Sequence, residues 1–198
     1  GKVFVESQAD IIGIQESTHN GKNTAVHLAD SLGWHSYVFE GRTIVTKYPI
    51  VDTSANNHGV KIKINKDHFV WMFNVHLMYC PYEPYQLNGI EYCGGPILHS
   101  AKEAIASAIK SRGNTVDSNI ADIIEVRKEG YPIFLTGDFN APPDSEPITL
   151  LATALTDTRT GAENGSPLPM ATFNGWNEGD DNRCIDFIFV GKKTKVNS

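Results

Sequence analysis

Short apolar runs alternate with polar, glycine-rich turns along this chain, and the spacing of apolar positions switches between two residues and about 3.6. Four runs read as core strands: Asp10-Ile-Ile-Gly-Ile-Gln15, Phe69-Val-Trp-Met-Phe-Asn-Val75, Pro132-Ile-Phe-Leu-Thr136 and Cys184-Ile-Asp-Phe-Ile-Phe-Val190. All are rich in the β-branched and aromatic residues that suit a half-buried pleated surface. Shorter strands are predicted over 3–5, 34–39, 43–47 and 60–64. In the last of these, Val60, Ile62 and Ile64 point one way and Lys61 and Lys63 the other. Helical spacing appears over 25–32, with Thr24 as the expected cap and Gly33 at the end. Ser100-Ala-Lys-Glu103 is a capping box that opens a helix to about Ser111. That helix is expected to bury Ala101, Ala104, Ile105, Ala108 and Ile109. A separate helix over 116–128 should bury Val116, Ile120, Ile123 and Ile124 and stop at Gly130. One more is predicted over 148–154.

Chemistry gathers where the strands end. Gly137-Asp138-Phe139-Asn140 follows the run that closes at Thr136, and Pro142-Pro143 blocks any regular continuation. Asp138 and Asn140 are two residues apart and can face the same way, pairing an acceptor-only carboxylate with an amide that donates and accepts. Such a pair suits a phosphate centre: the carboxylate orients a water or holds a cation, and the amide grips an oxygen. Glu16 leaves the first core run, and His76 leaves the second. Asp186 lies inside the last, where an unpaired carboxylate is costly. Each has a local alternative. Asp138 could make an Asx turn, Glu16 could be a solvated strand end, and His76 a satisfied histidine at a sheet rim. Their shared position at the carboxyl ends of strands, where sheets tend to carry ligands, favours a common site.

In this order, Asp-Ile-Ile-Gly-Ile-Gln-Glu16, Asn74-Val-His76-Leu, Thr136-Gly-Asp138-Phe-Asn140-Ala and Arg183-Cys-Ile-Asp186-Phe-Ile-Phe resemble the endonuclease/exonuclease/phosphatase superfamily. That group includes pancreatic-type deoxyribonucleases, abasic-site endonucleases, neutral sphingomyelinases, deadenylases and inositol-polyphosphate 5-phosphatases. The resemblance runs from about Val3 to Val190, and Gly41-Arg-Thr-Ile-Val-Thr-Lys-Tyr-Pro-Ile50 matches its strand-turn-strand. It implies an α+β fold, a four-layer α/β/β/α sandwich of two mixed sheets flanked by helices, in one domain over 1–198. It also implies Glu16 as the carboxylate that binds Mg2+ (or Mn2+), and His76 as the histidine on the leaving side of the phosphate. Asp138 would orient or deprotonate the attacking water with Asn140 as its partner, and Asp186 would align a second histidine. Two family elements have no match: an Asn on a strand ahead of Glu16, and a final Ser-Asp-His. On that comparison the chain is expected to be an internal fragment. The function implied is metal-dependent hydrolysis of a phosphodiester, by a nuclease or a small-molecule or phospholipid diesterase. The alternatives are a phosphomonoesterase and a non-catalytic binding module on the same fold.

Charge narrows the partners. A net charge of −6 disfavours a broad non-specific grip on nucleic acid, without excluding a nuclease that uses a local basic patch. The expected partner is a phosphate-ester substrate, nucleic acid included, taken by a monomer. No run approaches a membrane span. Cys80 and Cys93 bracket a loop carrying Tyr82, Tyr85 and Tyr92, and a disulfide between them would indicate a secreted or periplasmic setting. Reduced thiols fit equally, so the compartment stays open. Cys184 reads as a core residue. The tyrosines of this loop, with Tyr79, either line a substrate pocket or pack on one another. Trp176 and Phe173 could cover the substrate face or cap the core. The acidic run Glu178-Gly-Asp-Asp-Asn182 is a calcium candidate, with a solvated turn the commoner reading.

Overall fold

The computed structural model describes residues 2, 6–161, 171–173 and 184–196. The strand expected over 3–5, Trp176 and the acidic run 178–182 lie outside the described residues. The fold is mixed, with several β-sheets flanked by helices, and the chain divides into two compact units.

The first unit comprises residues 1–75 and 122–137. In it β1 (Ile11–Ile14) and β4 (His35–Phe39) both pair antiparallel with the central β5 (Arg42–Thr46). A small hairpin, β2 (Thr18–His19) and β3 (Lys22–Asn23), leads into helix α1 (Thr24–Leu32). Successive residues of β5 face opposite ways, which explains its complete burial. Val45 meets Ala25 and Ala29 of α1, with Ile14 and Trp34 at the margin. Ile44 instead packs on Val60, Ile62 and Met72 of a second sheet. That sheet runs β6 (Ile50–Thr53), β7 (Gly59–Lys63), β8 (Phe69–His76) and β9 (Ile133–Asp138). The turn at Tyr48 and Pro49 therefore carries the chain from one sheet to the other.

The alternation read in β7 holds. Val60 and Ile62 are fully buried between the sheets, while Lys61 leaves by the opposite face. There its Nζ lies 2.6 Å from Glu129 Oε2 and over the rings of Phe69 and Tyr131. Glu129 belongs to a 3-10 turn (Arg127–Glu129) that closes the long helix α3 (Ala101–Val126). Asp122, on the last stretch of α3, accepts from Ser54 Oγ, Asn56 N and Asn56 Nδ2. Helix, sheet, sheet and helix end thus follow one another within this unit.

The second unit comprises 76–121 and 138–198. It holds α2 (Glu83–Leu87), most of α3, α4 (Glu146–Ala154), β10 (Leu155–Asp157), α5 (Thr158–Gly161) and β11 (Asp186–Gly191). β10 and β11 pair antiparallel. Phe139, Phe187 and Phe189 form its aromatic core, with Phe139 edge-on to both other rings.

Three sequence expectations are corrected. The cap of α1 is Asn23, whose side chain accepts from the amides of Ala25 and Val26, while the Thr24 hydroxyl donates to Ser17 O. The helices expected over 101–111 and 116–128 are one, with Gly113 inside it. Its buried stripe is Ala104, Ala108, Arg112, Val116, Asn119, Ile123 and Val126, spaced by three or four throughout. Ile105, Ile109 and Ile124 stand one position off that stripe and are about half exposed. Arg112, Asn119 and Asp122 are buried polar residues of this helix, so the apolar pattern pointed to a face one position round.

Candidate active site

β8 ends at His76 and β9 at Asp138, and four of the five residues singled out belong to the second unit. There a backbone network ties them. Leu77 N donates to Asp138 O at 2.9 Å, and Asn140 Nδ2 donates to Leu77 O at 3.0 Å. Phe139 N donates to Ile185 O at 2.8 Å, which brings the start of β11 and its Asp186 against the same loop. The amides of Ile185 and Asp186 both donate to the Thr172 hydroxyl at 3.0 Å. Residues distant in the chain are therefore fixed to one another mainly through backbone groups.

Phe139 anchors the loop. Its buried ring points into the aromatic core, so Asp138 and Asn140 emerge together on the other side, each half-buried. One oxygen of Asp138 does make the Asx turn: Oδ1 accepts from Asn140 N at 2.8 Å. Its other oxygen, Oδ2, lies 3.9 Å from His76 Nε2. That separation exceeds a hydrogen bond and becomes an ion pair when the imidazole is protonated. Asn140 sits at φ 45°, a left-handed conformation that asparagine tolerates better than most residues. His76 and Asp138 keep 22% and 24% of their side-chain surface exposed, enough for solvent or a ligand to reach both. Gly137 is required by its neighbour, since a Cβ there would come within 2.2 Å of Val75 O.

Beyond Asp186 the second unit carries a further polar cluster. Arg159 forms a bidentate pair with Asp157, covers the Phe187 ring at 4.0 Å and donates to Cys184 Sγ. Burial pushes the Cys184 thiol up from its ordinary value despite that guanidinium. Cys184 is a core residue, as its sequence context indicates.

Glu16 belongs to the first unit, two residues past β1, exposed and at φ 52°. The first unit also holds a residue that sequence reasoning quoted without a role. Asn74 is 2% exposed, and its Nδ2 donates to Ile14 O at 3.0 Å and Thr43 O at 3.1 Å. Its Oδ1 accepts from Gln15 Nε2 and, at 3.3 Å, from Thr136 Oγ1. One amide thus joins β1, β5, β8 and β9. Gly13 makes room for it, since a Cβ there would lie 2.6 Å from Asn74 Oδ1. A polar residue inside so apolar a strand was the available signal.

The loop tyrosines pack on one another. Tyr82–Tyr85, Tyr85–Tyr92 and Tyr79–Tyr92 meet edge-on with centroids 4.9, 5.4 and 6.4 Å apart. Phe173 is half-buried.

Among the described residues no group of three or more His, Cys, Asp and Glu side chains gathers as a metal cage. A hard cation that keeps most of its waters needs only one or two carboxylates, and Glu16 is a donor of that chemistry. No described helix is long and apolar enough to cross a membrane.

Comparison with known proteins defines the class. A profile of the Endonuclease/Exonuclease/phosphatase family matches residues 2–198, and the chain belongs to that family, one of hydrolytic phosphoesterases. Solved structures share its fold. The human Nocturnin catalytic domain with bound sulfate has 16% identity and a TM-score of 0.58, over 96% of this chain and 72% of that one. ANGEL2, described as a 2',3'-cyclic phosphatase, has 13% identity and a TM-score of 0.61 over 96% and 72%. The Bacteroides thetaiotaomicron mannosyl-6-phosphatase Bt3783 has 14% identity and a TM-score of 0.55 over 97% and 74%. No curated protein sequence matches the chain significantly.

Proposed function

We propose that this protein is a divalent-metal-dependent phosphoesterase that hydrolyses a phosphodiester by in-line attack of an activated water. The observation that carries the reading is the linkage of His76, Asp138 and Asn140, with Asp138 Oδ2 turned toward His76 Nε2 at 3.9 Å. Membership of a phosphoesterase family supports it.

In this assignment Asp138 orients the water and accepts its proton, with Oδ1 held by the backbone amide of Asn140 and Oδ2 facing His76. Asn140 positions water and phosphate through its side chain. His76 faces the phosphate's leaving side and steadies the departing oxygen. Asp186 would align a second histidine, which the family carries in a Ser-Asp-His element that has no match in this sequence. Glu16 would hold Mg2+ or Mn2+, which when bound neutralises charge on the phosphate. The P–O bond to the leaving group breaks as the water oxygen bonds to phosphorus, and the leaving oxygen gains a proton.

A phosphomonoester substrate is the second reading, favoured by the fold shared with the mannosyl-6-phosphatase. Hydrolysis of bis-p-nitrophenyl phosphate against p-nitrophenyl phosphate separates the two. The intact protein should hydrolyse the diester faster, only with Mg2+ or Mn2+, and lose activity reversibly to a chelator. Asp138→Asn should lower kcat by about 10²- to 10⁴-fold, the usual contribution of a positioned base, with an unchanged circular-dichroism spectrum. Full activity in Asp138→Ala would refute the assignment.

A further inference from the structure

We infer that Cys80 and Cys93 form a reversible disulfide by exchange with small-molecule disulfides, clipping together the two ends of the tyrosine-bearing loop that follows His76. The inference stands apart from the phosphoesterase reading, because both its chemistry and its test concern thiols alone.

The fold brings the pair together without a bond between them. The thiols are thirteen positions apart in the chain, yet Cys80 Sγ donates to Cys93 O at 3.6 Å. Each flank is held independently. Next to Cys80, Pro81 O accepts from the buried Arg112 Nη2 at 2.8 Å. Beyond Cys93, Pro96 O accepts from Gln86 Nε2, also at 2.8 Å. That second anchor depends on Gly95, where a Cβ would lie 2.5 Å from Gln86 Nε2. Tyr92 bridges both sides, meeting Tyr79 and Tyr85 edge-on. Cys93 and Gly94 take consecutive left-handed conformations, φ 56° and 63°, which turn the chain back toward Cys80. Ends already held near each other lose little further freedom when the bond forms.

Access fits exchange. Cys93 is exposed and Cys80 half-buried, whereas Cys184 is buried beneath Arg159. Partial desolvation and the neighbouring Cys80 sulfur push the Cys93 thiol up to about 11. In the first step the thiolate of one cysteine displaces one glutathione thiolate from oxidised glutathione, leaving a mixed disulfide on that cysteine. The other cysteine then gives up its proton to solvent and attacks that protein sulfur, releasing the second glutathione. Two protein thiols are oxidised by two electrons, and oxidised glutathione is reduced to two molecules of thiol.

The test is oxidation of the folded protein in glutathione buffers of graded ratio, read by intact mass and by peptide mapping. Wild type should lose two hydrogens, lose two of its three titratable thiols and yield one cross-linked peptide joining Cys80 to Cys93. Excess reduced glutathione should restore it. Cys93→Ser and Cys80→Ser should each stop at one glutathione adduct, on the remaining thiol of the pair. Denaturing the protein first should not be needed. A stable glutathione adduct on the wild type, cross-links that involve Cys184, or oxidation that proceeds only in denaturant would each overturn the inference.

Discussion

At the residue scale, buried polar groups were the hardest feature to read from the chain, and Asn74 is the clearest case. In Phe69-Val-Trp-Met-Phe-Asn-Val75 it looks like an interruption, yet its amide supplies hydrogen bonds to carbonyls of two other strands. Asn74→Ala should cost about 2–4 kcal/mol, because Ile14 O and Thr43 O would each lose a donor in a dry interior. The drop in urea midpoint measures it. His58 behaves differently. It is buried edge-on to Phe39, and burial first, then the Arg42 charge, lower its pKa from 6.5, against the opposing pull of Asp122 and Glu40. The unfolded chain takes up a proton near pH 6.5 that the folded chain resists. Stability should therefore fall as pH drops through that region and level off below the folded pKa. Denaturation midpoints at about pH 7.5 and about pH 5.5 should differ, and His58→Gln should narrow the gap by removing that proton linkage.

At the scale of elements, α3 shows how one buried charge reorganises a reading. Its stripe runs through Arg112, whose Nη1 lies 2.7 Å from Glu83 Oε2, while Nη2 reaches Pro81 O. The helix thus pins the segment after His76. Apolar periodicity alone placed Ile105 and Ile109 inward, since no sequence rule anticipates a guanidinium on a core face without its partner in view. Arg112→Ala should destabilise the fold by about 3–5 kcal/mol, because Glu83 would be left as an uncompensated buried charge. The neighbouring position should respond in the opposite sense. Gly113 lies inside the helix, and an added Cβ would meet only Ile109 Cγ2 at an ordinary 3.6 Å. Gly113→Ala should therefore raise the denaturation midpoint, by about 0.5–1 kcal/mol in stability, through the smaller backbone freedom of the unfolded chain. Glycine weakens a helix, but buried residues on both sides, Arg112 and Val116, carry this one through.

For the molecule as a whole, charge and family act on different questions. The net charge of −6 disfavours a broad non-specific grip on a polyanion without excluding a nuclease, while the family defines a hydrolytic phosphoester chemistry. Local order was legible in the chain by itself. The strands, their alternation, the Gly-Asp-Phe-Asn turn with its outward Asp138 and Asn140, and the residues matching a phosphoesterase family all follow from short-range sterics, two-residue periodicity and motif spacing. Only the tertiary structure could decide that Asp138 sets one oxygen in an Asx turn and the other 3.9 Å from His76, that α3 is one helix, that Asn74 joins four strands and that Cys80 meets Cys93. Each of those depends on a partner remote in sequence, brought close by burial and backbone hydrogen bonds rather than by any preference of the residue itself.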